Sequence, residues 1–129
     1  MAEIKIHRFP NKDLTVFAVI GALRLAELKT AVDEFYSGKF TLNTMWDLRE
    51  ADISAIEVGE VKEILDYSME YLKRREGGRS AILVSTDVNY GMGRVFDTFV
   101  ELSSSPVENN VFRDYEEAMA WFEPPMTGN

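Results

Sequence analysis

The stretch GEVKEILDYSMEYLKRREGGRSAILVST, residues 59–86, decides how the rest of the chain is read. Val61, Ile64, Leu65, Ser68 and Leu72 recur at three- and four-residue spacing, which predicts one apolar helical face from about Gly59 to Glu76. Glu60 and Glu63 sit near its start and Lys73, Arg74 and Arg75 near its end, an order that suits the helix dipole. The basic run Lys73-Arg74-Arg75-Glu76-Gly77-Gly78-Arg79 is therefore read as a helix C-terminus complementing its own carbonyls, with an acidic partner as the alternative. Gly77-Gly78 ends the helix. Ser80 to Thr86 then reads as a short strand buried on both faces. A helix feeding such a strand is the repeating unit of a parallel sheet.

The same alternation extends in both directions. Upstream, Ile4 and Ile6 fit a short strand and Leu14 to Ile20 a more buried one, with turn residues Asn11-Lys12-Asp13 between them, so an antiparallel hairpin is expected. Leu25, Leu28, Val32 and Phe35 carry a helical period that stops at Gly38, and Thr41 to Leu48 reads as the next strand. Downstream, a third helix is expected near Tyr90, with Met92, Val95, Phe96, Phe99 and Leu102 inward. Val107 to Arg113 is the last strand, and Asp114 with Glu117 three residues on has the capping-box pattern of a final helix. The order is β-β-α-β-α-β-α-β-α: an α/β protein with a mostly parallel sheet and an antiparallel N-terminal edge hairpin, one domain over residues 1–123. Residues 124–129, opening on Pro124-Pro125, read as a flexible tail.

Composition narrows the function classes. The chain has 129 residues, 46% hydrophobic and 28% charged, which is ordinary globular composition. Fourteen Lys and Arg against 22 Asp and Glu give a net charge of −8, so phosphate backbones and anionic membrane surfaces are disfavoured as general partners. There is no cysteine and one histidine, His7, which leaves no basis for a disulfide, a thiolate site, or a zinc or copper site. No cofactor is implied. Residues 1–10 have no continuous apolar core of a secretory signal, and the longest apolar run is far short of a bilayer span, so a cytoplasmic location without stable membrane insertion is expected.

Ligand sites in open α/β sheets gather beyond the carboxyl ends of the strands. That rule points to Asp47-Leu48-Arg49 and to Thr86-Asp87-Val88-Asn89-Tyr90. Asp47 and Arg49 alternate onto one side of their strand, either as a local ion pair or as an acid or base beside an anion clamp. Gly91 and Gly93 lie where a helix entry could present amides to an anion, but the dinucleotide and phosphate-loop spacings are absent. A tight turn and close helix-to-sheet packing are the simpler reading of both glycines. Arg94 is poorly placed for the helix dipole, so it is solvated, paired with Asp87 or Asp97, or held for a ligand. The expected ligand-binding set is Asp47, Arg49, Asn89, Tyr90, Met92, Arg94 and Phe96, an aromatic and thioether surface with a few polar groups.

Four stretches together resemble the SpoIIAA-like family of STAS-type proteins, small bacterial proteins related to anti-sigma-factor antagonists. They are Met45-Trp46-Asp47-Leu48-Arg49, Arg79-Ser80-Ala81-Ile82-Leu83-Val84, Tyr90-Gly91-Met92-Gly93-Arg94-Val95-Phe96, and the ending from Val111 to Phe122. The resemblance implies the same alternating β/α fold. Phosphorylated antagonists carry an Asp-Ser-Ser/Thr-Gly-type motif after the middle strand. Here that place reads Asp47-Leu48-Arg49-Glu50-Ala51-Asp52, with Ser54 outside any such motif, so a phosphorylation-driven partner switch does not carry over. Relatives without that serine suggest a small-molecule role, with an apolar or lipid-like ligand as in CRAL-TRIO-type folds. Three functional readings result: a non-enzymatic domain binding a small apolar molecule, a protein–protein regulatory module such as a homodimer, and an acid–base enzyme using Asp47 or Asp87 with Arg49 or Arg94.

Overall fold

The computed structural model describes residues 2–123; the tail expected at residues 124–129 lies outside the described residues. Strand β1 (Glu3–Phe9) turns through a single 3-10 turn, Pro10–Lys12, into β2 (Leu14–Ala22). Asp13 completes that turn in the left-handed region, φ 50°, and its amide donates to the Pro10 carbonyl at 3.1 Å. There follow α1 (Leu25–Ser37), β3 (Asn43–Asp52), α2 (Val58–Leu72) with a 3-10 turn at Lys73–Arg75, β4 (Arg79–Leu83), α3 (Asp87–Leu102), β5 (Glu108–Phe112) and α4 (Tyr115–Trp121).

The five strands lie in chain order, β1-β2-β3-β4-β5, with β1 antiparallel to β2 and every later pair parallel. Because the order advances one place each time, crossovers of one hand put α1, α2 and α3 on the same face of the sheet. Helix α4 follows the last strand, is no crossover, and packs on the opposite face. Its layer is closed: Leu14, Met45, Ala81, Leu83 and Ala118 are all 0% exposed. Helix starts follow local chemistry. Thr86 Oγ1 accepts the Asn89 amide at 3.1 Å, and Asp114 Oδ2 accepts the Glu117 amide at 2.9 Å. At α2, Glu60 Oε1 accepts the Glu57 amide at 3.0 Å.

Two expectations shift. Helix α3 begins at Asp87 rather than near Tyr90, so Gly91 lies within the helix and forms no entry loop. Gly93 does serve close packing: a Cβ there would stand 2.9 Å from Val111 Cγ1. Strand β3 runs four residues past Leu48, because a bulge inserts one extra residue opposite β2 between the Ala18–Asp47 and Ile20–Glu50 pairs.

A candidate ligand chamber beneath the crossover helices

The sheet and the three crossover helices do not close on each other. Between them lies a cavity of about 170 Å³. Its floor is the inward side of the central strands, Phe17 on β2, Trp46 and Leu48 on β3, and Ile82 on β4. Its roof comes from Val32 and Phe35 on α1, Val61, Ile64 and Ser68 on α2, and Met92 and Phe96 on α3. Phe17 and Trp46 stack at 4.4 Å with their planes 14° apart, and Phe35 meets Phe17 edge-on at 5.5 Å. Trp46, Phe35 and Phe96 remain only half-buried although they sit on the helix-covered face, because each presents surface to the cavity.

The chamber runs along β3 from Thr44 to Leu48, roughly 13 Å at the usual strand rise. Polar groups mark its two ends. At the strand ends stands Asn89, whose Nδ2 donates to the Ala51 carbonyl at 3.4 Å. At the strand starts stand Thr44, Ser80 and Arg75. Arg75 is 3% exposed and donates to the Leu42 and Arg79 carbonyls, which departs from the helix terminus complementing its own carbonyls read from the sequence.

The structure separates the expected site residues. Asn89, Met92 and Phe96 line the chamber. Tyr90 packs beside Ile82, Val84 and Val111, with the Arg113 guanidinium 5.0 Å above its ring. Asp47 and Arg49 lie on the α4 face, where Arg49 Nε and Nη2 donate to the Asp47 carboxylate at 2.9 and 2.8 Å and the guanidinium covers Tyr115. Partial burial pushes the Asp47 carboxyl up. The bonds from the Arg49 side chain and amide, with that cation's charge, outweigh burial and hold it below the usual carboxylate value. Arg94 projects outward and donates to Asp97 at 2.8 Å, while Asp97 Oδ1 also accepts from Asn109. Asp87 is exposed and pairs with Arg113. The acidic and basic groups named for acid–base chemistry are thus dispersed over three places.

The physical reason for the dispersal is topological. Open α/β sheets form their carboxyl-end crevice where strand order reverses, and this order never reverses. Space is left beneath the helices instead. Sequence reasoning missed most of the chamber's residues because each one, taken singly, reads as core. Among the described residues no helix is long and apolar enough to cross a membrane, and no group of three or more His, Asp or Glu is placed to hold a metal ion.

A five-stranded mixed sheet with three crossover helices on one face and a fourth on the other defines the class: an α/β protein with a SpoIIAA-like fold. A solved structure that shows this is that of an uncharacterised DUF3478-family protein with a SpoIIAA-like fold from Shewanella loihica PV-4. It is similar with a TM-score of 0.60 and 19% identity, covering 95% of this chain and 94% of that one. At this identity the likeness shows the fold alone, which is the fold that the sequence resemblance implied. No family model and no curated protein matches the chain.

Proposed function

We propose that this chain is a non-enzymatic binding domain that holds a small apolar molecule in the chamber between the sheet and α1–α3. The observation carrying this reading is the chamber itself. At about 24 cal/mol per Å³, a void of 170 Å³ represents roughly 4 kcal/mol relative to a filled core. Whole-domain stabilities are only about 5–15 kcal/mol, so packing of that size left unused is a large concession. Apolar cavities of about 150 Å³ stay dry and take up benzene-sized guests, which sets the scale of the ligand.

Thermal melts with toluene, indole and 1-hexanol test the reading. A ligand that binds only the folded state raises stability by about 2.7 kcal/mol at a hundred times its Kd. The expected result is a midpoint that climbs with concentration for at least one of these compounds; a flat midpoint for all of them sinks the proposal.

The alternative, a protein–protein module or homodimer, draws support from the open edge of β1, where Ile6 is 49% exposed. That edge also carries Glu3, Lys5, His7 and Arg8, all exposed, and charged side chains are how sheet edges resist pairing. The chamber is the stronger feature.

A further inference from the structure

We infer that Arg75 is the recognition group of the chamber, and that the ligand is a small monocarboxylate whose apolar body lies against the aromatic walls. This rests on the binding reading above and specifies its chemistry. Arg75 ends the 3-10 turn after α2 and is the most deeply buried charged side chain described, at 3% exposure. Its Nε donates to the Leu42 carbonyl at 2.9 Å and Nη1 to the Tyr36 hydroxyl at 3.0 Å. Nη2 donates to Thr44 Oγ1 and to the Arg79 carbonyl, both at 3.1 Å. Every one of these acceptors is neutral. A guanidinium has five N–H groups, so one on Nη1 is left without an acceptor among the described residues.

The contrast with the other arginines is informative. Four of the seven others, Arg49, Arg79, Arg94 and Arg113, reach a carboxylate and are more exposed than Arg75; Arg8, Arg24 and Arg74 reach none among the described residues but are exposed to water. In a chain with 22 acidic residues, the one fully buried cation has no carboxylate among its described partners. A guanidinium does not shed its proton, and a buried charge without a counter-charge is costly. Tying Leu42 and Arg79 together accounts for two of its bonds. A neutral donor would serve that purpose as well, so the tie does not account for the charge.

The wall of the chamber completes the fit. Arg75 lines one end, and from there the apolar surface of Trp46, Ile64 and Phe96 leads towards Met92. A monocarboxylate brings one negative charge and an acceptor oxygen, which matches one cation with one unpartnered N–H. A phosphate dianion fits less well, because a single cation leaves its second charge unbalanced in an apolar chamber. The volume suits a body of about six to eight carbons or one aromatic ring, on the scale of guests held by comparable apolar cavities.

The test compares matched skeletons on the wild-type protein by calorimetry at pH 7: hexanoate against 1-hexanol, and benzoate against benzyl alcohol. The expected result is at least tenfold tighter binding of each carboxylate. Arg75→Met should remove that preference while leaving the alcohols bound. That variant loses ties to Leu42 and Arg79 and can fail to fold, so a second measurement uses the unaltered chain. The resonance of the unpartnered Arg75 Nη1–H should shift on adding benzoate and stay in place with benzyl alcohol. Equal affinities, tighter alcohols, or a stationary resonance overturn the role of Arg75 and leave the apolar chamber standing. Failure of all four compounds to bind overturns the carboxylate proposal, and together with flat melts for toluene and indole it removes the chamber reading as well.

Discussion

The two faces of the sheet solve the same burial problem in opposite ways. On the α4 face, a single seven-residue helix closes the layer: Leu14, Met45 and Leu83 reach 0% exposure, with Phe9, Phe112, Tyr115, Trp121 and Phe122 packed around them. On the other face, three longer helices carry large rings, Phe35, Tyr36 and Phe96 against Phe17 and Trp46, and leave about 170 Å³ unfilled. More helix and more aromatic mass give the looser layer. Rings occur on both faces; what differs is their place. On the looser face Phe17 and Trp46 stack at the centre of the sheet and the space beside them stays open, whereas on the closed face the central positions are Leu14, Met45, Ala81 and Leu83. Among the described residues the one deeply buried cation, Arg75, sits on the looser side, whereas the Asp47–Arg49 pair sits on the closed one.

The same deletion made on each face should break this symmetry most sharply. Leu83→Ala removes a side chain packed on all sides and should lower stability by about 3–5 kcal/mol in urea denaturation. Leu28→Ala trims a chamber wall that already lacks contacts on one side, and about 1–2 kcal/mol is expected. Equal losses would mean that the two layers are packed alike. Thr44→Val comes next. It withdraws an acceptor from the buried Arg75 Nη2, and leaving a buried donor short costs about 1–3 kcal/mol. A neutral result would show that the guanidinium finds another acceptor or water.

Filling the chamber reverses the sign. Ser68 lines it from α2, and its hydroxyl bonds only to its own helix, to the Ile64 carbonyl at 2.7 Å. Ser68→Leu should raise stability by about 0.5–2 kcal/mol and abolish the thermal shift produced by apolar compounds. A clear loss of stability instead would show that the space is too small to accept three more carbons.

Much of this architecture is legible in residue periods. The stripe Val61, Ile64, Leu65, Ser68, Leu72 forms the inward side of α2, and the hairpin turn stands at Asn11-Lys12-Asp13. Arg75 was legible too. It falls three residues after Leu72 on the same stripe, but reading the basic run as one block at a helix terminus hid that position. Alternation likewise puts Asp47 and Arg49 opposite Trp46 and Leu48, so grouping them with the aromatic surface merged two faces of one strand. The extension of β3 to Asp52 depends on a bulge set by pairing with β2, which no local pattern carries. A chamber is a difference between summed side-chain volume and the space that the backbone encloses, and no single residue records it.

The smallest expected effect lies on the closed face and tests whether its polar pair acts by charge. Asp47 is largely covered, with 14% of its side chain exposed, while Arg49 is 42% exposed, so the pair belongs with solvent-screened bridges. Asp47→Asn should therefore cost less than about 1 kcal/mol at neutral pH. The folded carboxyl is held below its ordinary value, so its contribution is complete above the unfolded value of about 3.9 and is lost as pH falls through the folded one. The difference between wild type and Asp47→Asn should stay constant from about pH 5 to 8 and shrink below about pH 4. Urea midpoints at three pH values decide it. A penalty that persists undiminished in acid would assign the contribution of Asp47 to shape and hydrogen bonding with neutral partners. Hexanol binding should not change in this variant at any pH, since Asp47 stands on the other side of the sheet from the chamber; a weakened ligand would show that the two faces are coupled through β3.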